Sequence, residues 1–191
     1  MSTGGIESLK PIFRALPAIS GMAFVVVHHI RNVPTLLPEI LSACTPMPVQ
    51  LASGGLVVRP NHVYVLPSGK EVTLADSFFS VRSQSKPKGF STVLTVLLKS
   101  LAESNHRSIA VILSDADGAA ALREFAGCGG IVIAQAPDTA ERSGMPLAAI
   151  LTGAVDHVLP PEAIAGQLER IAREFNRSSE ADKSRQGGEL P

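Results

Sequence analysis

The chain has 191 residues, enough for one domain with a real core, and its 45% hydrophobic and 18% charged content excludes an intrinsically disordered protein. Seventeen basic and seventeen acidic side chains cancel to a formal charge of zero, so no broad field draws in nucleic acid or anionic lipid, and neither is an expected partner. Cys44 and Cys128 have no CxxC or Cys/His ligand spacing, so no disulfide framework, metal site or cofactor is expected. The longest early apolar run, residues 21–27, is far short of the roughly 20 residues of a membrane span. Residues 1–9 lack the basic and apolar regions of a signal peptide, and a cytoplasmic location follows as an expectation.

Apolar residues at Ile6, Leu9, Ile12, Phe13 and Leu16 recur with helical period and predict a first helix to about Leu16, with Pro11 kinking it or delaying its start. Residues 22–27 are a continuous apolar run, the composition of a strand covered on both faces; His28 and His29 follow at its carboxyl end. A short helix is predicted over 35–43, entered through Pro34 and bent by Pro38, and then a strand over 49–52. From 54 to 81 four short strands are expected, at 56–58, 63–66, 71–74 and 78–81, forming an antiparallel excursion with turns at Pro60-Asn61, Pro67-Ser68-Gly69 and Ala75-Asp76-Ser77.

Residues 83–89 read as a polar loop, after which Ser91 or Thr92 can cap a strongly apolar helix running to Glu103. Strand 109–113, helix 119–125, strand 131–134, helix 146–151 and strand 155–158 then alternate, as parallel crossover units do. A last helix is expected over 163–175. From residue 176 to 191 the apolar pattern stops, which predicts a disordered polar tail behind one domain of residues 1–175. The fold class is α/β: a doubly wound three-layer sandwich, with a mostly parallel sheet and an antiparallel hairpin near 71–81.

Open parallel sheets carry their sites outside the carboxyl ends of the strands. His29 and Asp117 each follow a predicted strand, and Ser2 precedes the first helix. A serine hydroxyl becomes a nucleophile when a histidine takes its proton and a carboxylate orients that histidine, and free amides at a helix N-terminus can stabilise the oxyanion of acyl transfer. Taken singly, Ser2 reads equally as an N-cap or frayed terminus, His28 and His29 as a strand end, and Asp117-Gly118, with Asp115, as a turn and helix cap.

The residues in order carry a resemblance. Met1-Ser2-Thr3-Gly4-Gly5-Ile6-Glu7 resembles the Gly-Ala-Ser-Thr-Gly-Gly-Ile-Glu nucleophile segment of the chemotaxis protein-glutamate methylesterases, the CheB-type catalytic domain. Phe24-Val25-Val26-Val27-His28-His29-Ile30 resembles the segment bearing that family's histidine, with His29 at its position. Residues 34–41 are similar to Leu-Leu-Pro-Glu-Leu-Leu, and Pro60-Asn61-His62-Val63-Tyr64-Val65-Leu66-Pro67 is similar to Pro-Gly-His-Val-Tyr-Val-Ala-Pro. Leu113-Ser114 with Asp117-Gly118 resembles the aspartate segment, and Gly144-Met145-Pro146, Val155-Asp156 and Leu159-Pro160 resemble the closing one.

The resemblance implies a Ser2, His29, Asp117 triad hydrolysing glutamate γ-methyl esters of methyl-accepting chemoreceptors, with release of methanol and accompanying glutamine deamidation. The chain departs from the family at three places. The family's hydrophobic strand immediately before the serine has no counterpart ahead of Met1, which reads as either a misassigned start or a truncated protein. The loop over 114–118 is about two residues shorter than Ser/Thr-Gly-x-Gly-x-Asp-Gly; loss of an oxyanion donor there would slow turnover by roughly two to three orders of magnitude. The family's Arg-Pro-Ser-x-Asp is replaced around Ser91, Thr92, Val93 and Thr95. No receiver domain is expected ahead of the catalytic segment, so phosphorylation control of the usual kind is not expected to act within this chain. The rival readings are a catalytically degenerate domain acting as a signalling binding module, and a small-ligand module using Thr3, Gly4 and Gly5 as an anion loop.

Overall fold

The computed structural model describes residues 4–28, 36–83, 90–104, 107–113 and 120–186. The first helix, α1 (Gly4–Ala15), starts ahead of Pro11 and carries that proline in its interior, so the delayed start does not occur. Its apolar period buries Ile12, Phe13 and Leu16, while Lys10 and Glu7 pair at 2.7 Å on the outer face. After β1 (Phe24–Val26), helix α2 (Leu37–Ser42) has Pro38 in its first turn. There the missing amide has no intrahelical acceptor to lose, so the proline starts the helix and does not bend it.

Two parallel three-stranded sheets follow. β2 (Val49–Leu51) and β3 (Val63–Val65) join β1 in the order β1-β3-β2, with Phe24 opposite Val63 and Val49 opposite the same residue. This corrects the expectation for 63–66. That segment is the centre of a parallel sheet and no part of an antiparallel excursion, because Val63, Tyr64 and Val65 are buried on both faces. The stretch 56–58 forms an isolated antiparallel bridge, Val57 opposite Phe78, with Val58 N–H donating to the Ser77 C=O at 2.7 Å and Phe79 N–H to the Leu56 C=O at 3.0 Å. The expected hairpin is present as β4 (Lys70–Ala75) and β5 (Phe78–Ser83). Asp76 and Ser77 turn it at φ of 48° and 66°, the left-handed pair that a tight hairpin turn requires.

Helix α3 (Phe90–Glu103) leads to β6 (Ile109–Ile112), α4 (Ala120–Gly127), β7 (Ile131–Gln135), α5 (Gly144–Leu151) and β8 (His157–Leu159). These strands form the second parallel sheet, β6-β7-β8. Of the loop predicted over 83–89, Ser83 instead ends β5, while residues 84–89 lie outside the described residues and the capping role of Ser91 or Thr92 falls on side chains that are not described. The last helix, α6 (Pro161–Gln186), corrects the predicted end at Phe175 and replaces a structureless segment with helix as far as Gln186. A helix already nucleated extends by one hydrogen bond per residue without needing an apolar face.

The layers follow from burial. Ile12, Phe13, Leu41, Leu168 and Ile171 form one core with Val26, Val63 and Val65 of the first sheet and Ile133 of the second, so α1, α2 and α6 cover one face of both sheets. On the other face, Leu94, Leu98, Leu122 and Phe125 pack against Ala110, Ile112 and Val132, and Leu97 joins Tyr64, Val72 and Phe79 beneath the hairpin. The α/β class, the mostly parallel strands and the hairpin are as expected; the single sheet is divided in two among the described residues.

Candidate active site

The strands of both sheets start near the carboxyl end of the α6 apolar stripe. A Cβ added to Gly21, just before β1, would lie 3.9 Å from the Asn176 side-chain amide nitrogen. Arg107, just before β6, donates from a guanidinium nitrogen to the Phe175 C=O at 2.7 Å and lies 5.2 Å over the Phe175 ring. Val27 and His28, just after β1, and Leu113, just after β6, line the same cavity.

Asn61 holds the amino end of this arrangement. At φ 61° its side-chain oxygen accepts from the backbone N–H groups of Ser20 and Gly21, both at 2.8 Å, and its own N–H donates to the Met22 C=O at 2.7 Å. Asparagine tolerates the left-handed region and can bond neighbouring backbone, so this residue sets the entry of β1. At the carboxyl end of β7, Gln135 is fully buried and donates to the Thr139 C=O at 3.0 Å. Neither role was legible, because each depends on a partner that the fold supplies.

Ser2, His29 and Asp117 lie outside the described residues. Among their described neighbours, Gly5, three residues after Ser2, His28, one before His29, and Leu113, four before Asp117, border one cavity of about 490 Å³ that also runs along β1 and β6 as far as Gly21 and Ser108. Its walls are β1, β6, α1, α3 and the apolar stripe of α6. The first residues of α1, Gly4 and Gly5, have no side chain beyond Cα to block an approach to their backbone, and a helix N-terminus is a place where amides receive negative charge. Among the described residues no group of three or more His, Cys, Asp or Glu side chains is gathered for a metal, and no helix is long and apolar enough to cross a membrane.

Mostly parallel strands with helices on both faces, and a cavity lined by two strands and the start of one helix, define an α/β sandwich protein. Comparison with known proteins makes the class specific. The model of the CheB methylesterase family matches residues 1–168, and the chain belongs to that family. It is 32% identical over 177 residues to the protein-glutamate methylesterase/protein-glutamine glutaminase 1 of Syntrophus aciditrophicus, covering 90% of this chain and 50% of that protein. To the corresponding Bdellovibrio bacteriovorus protein it is 33% identical over 174 residues, covering 87% and 49%. The crystal structure of the Thermotoga maritima CheB methylesterase catalytic domain superposes with a TM-score of 0.80 at 30% identity, covering 88% of this chain and 94% of that one. The chain thus spans about half the length of the relatives it matches.

Proposed function

We propose that the chain is a carboxylic ester hydrolase that removes methyl groups from glutamate γ-methyl esters of chemoreceptors, acting in the cytoplasm through Ser2, His29 and Asp117. The observation that carries this reading is that the described neighbours of all three residues border a single cavity in a chain of the CheB methylesterase family.

In the proposed chemistry the Ser2 hydroxyl attacks the ester carbonyl as His29 accepts its proton, giving a tetrahedral oxyanion. Amides at the start of α1 would receive the developing negative charge. Collapse breaks the bond to the methoxy oxygen, and that oxygen takes the proton back from His29 and leaves as methanol. Water, giving a proton to His29, then attacks the acyl-serine; the acyl bond breaks and the proton returns to the serine, releasing the glutamate carboxylate. Asp117 orients the imidazole and stabilises its charged form throughout. With a glutamine substrate the same steps release ammonia.

The test is methanol release from a methylated receptor. Wild-type protein is expected to release it, and Ser2→Ala is expected to lower release to background. Equal release by the two would overturn the assignment of Ser2, and no release by either would overturn the activity.

A further inference from the structure

A second, smaller cavity lies at the outer side of the first sheet, and the segment that walls it is held in place. The bridge at Val57 and its flanking hydrogen bonds tie residues 56–58 to the hairpin, and Gly55 N–H adds a bond to the Phe79 C=O at 2.8 Å. From the sheet side the hydroxyl of fully buried Tyr64 accepts from Arg59 N–H at 2.8 Å and donates to the Val57 C=O at 3.2 Å. Gln50 lies opposite Tyr64 in the pairing of β2 with β3, so the two side chains share a face of the sheet. His62, two residues before Tyr64, is on that face too, its ring stacked on the tyrosine ring with centroids 6.1 Å apart and planes at 15°.

Gln50, Leu56, Val57, Arg59 and His62 enclose about 270 Å³, just below the ~300–1,000 Å³ of sites for drug-sized molecules. None of the five lines the larger cavity. The chemistry of the walls selects an occupant. No described carboxylate lies within ion-pair distance of the Arg59 guanidinium, whose planar fork of donors matches a carboxylate through two parallel hydrogen bonds. A carbonyl can only accept, so the 2.9 Å contact of His62 Nδ1 with the Pro60 C=O puts the imidazole hydrogen on Nδ1 and leaves Nε2 of the neutral ring as an acceptor. That acceptor asks for a donor on the ligand. Leu56 and Val57 supply an aliphatic wall along which a hydrocarbon chain leaves water, and the Gln50 amide can donate or accept. One fixed cation beside an apolar wall fits a monoanion with a hydrocarbon tail and not a phosphate, whose higher charge calls for several donors and whose oxygens leave the wall bare.

We propose that this cavity binds a small aliphatic carboxylate that carries a hydrogen-bond donor beside its acid group, as 2-hydroxy acids do. The carboxylate sits on Arg59, the donor on His62 Nε2, and the hydrocarbon chain along Leu56 and Val57. Binding there is independent of the esterase chemistry and is read without it.

The probe is 2-hydroxyisocaproate, titrated into the 191-residue chain in mildly alkaline buffer, which keeps imidazoles neutral, and followed at the backbone amide resonances of Gln50, Val57 and His62. Saturable shifts with a Kd on the order of 1 mM are expected for a ligand of about nine heavy atoms. Isocaproate, which lacks the hydroxyl, is expected to bind at least threefold more weakly, and isocaproamide, which lacks the charge as well, at least tenfold more weakly. Arg59→Met keeps the aliphatic stem and removes the fork; it should weaken 2-hydroxyisocaproate at least tenfold with Tm unchanged. His62→Phe keeps a ring over Tyr64 and removes Nε2, and should erase the preference for the hydroxy acid over isocaproate. No saturable shift up to about 50 mM probe, equal affinity in Arg59→Met, or inorganic phosphate bound as tightly at the same amides would each overturn the proposal.

Discussion

The two strands at the centre of each sheet and the two that border the larger cavity are made of the same residue types but differ in burial. Val63, Tyr64 and Val65 of β3 and Val132, Ile133 and Ala134 of β7 are at most 1% exposed. In β1 only Val26 is buried, and in β6 burial alternates. Composition does not separate Phe-Val-Val from Val-Tyr-Val. What separates them is a neighbour on each side: β3 and β7 have two, β1 and β6 have one among the described strands. A run of β-branched residues therefore marks where a sheet is meant to be dry, while the neighbours decide whether it is.

Mutations can break or sharpen this contrast. The largest effect is expected at Ile133, fully buried in β7 within the core that unites both sheets. Ile133→Ala should cost about 4 kcal/mol in denaturant unfolding, since lost transfer and an unfilled cavity add; a loss under about 1 kcal/mol would mean that the core at β7 is no tighter than at β1 and β6.

Tyr64 tests the other central strand by a different route. Its hydroxyl accepts from Arg59 N–H at 2.8 Å and donates to the Val57 C=O at 3.2 Å, while its ring packs edge-on to Phe79 at 5.1 Å. Tyr64→Phe keeps the ring and leaves two backbone groups without that partner. A loss of about 1.5 kcal/mol is expected from the same unfolding measurement, and unchanged stability would show water replacing the hydroxyl.

The smallest effect belongs to Val111, half-buried in β6. Val111→Ala should cost about 1 kcal/mol or less, because the removed methyl groups were only partly out of water. A cost as large as that of Ile133→Ala in the same unfolding measurement would break the contrast between the half-buried and the central strands.

Much was legible in the residues themselves. The apolar period of 6–16 predicted α1, the continuous apolar run of 22–27 predicted a strand covered on both faces, and Ala75-Asp76-Ser77 offered a turn for the hairpin. Ser2, His29 and Asp117 were singled out by motif and are the proposed catalytic groups. The rest depended on context. The segment 63–66 had the same appearance as its antiparallel neighbours until pairing with β1 and β2 gave it two parallel partners. The end of α6 was misplaced because hydrophobic pattern reports packing, and a nucleated helix can outrun its packed face.

By itself the sequence determined the α/β class, the order of elements, the family and the three groups proposed to do the chemistry, since each is written in local period or in short ordered motifs. Only the tertiary structure decided that the parallel strands stand as two sheets bordering one apolar cavity, and that Asn61 and Gln135 serve as pins at opposite strand ends. Strand pairing and buried polar partnerships join residues far apart in the chain, and no local pattern encodes which distant backbone will arrive to complete them.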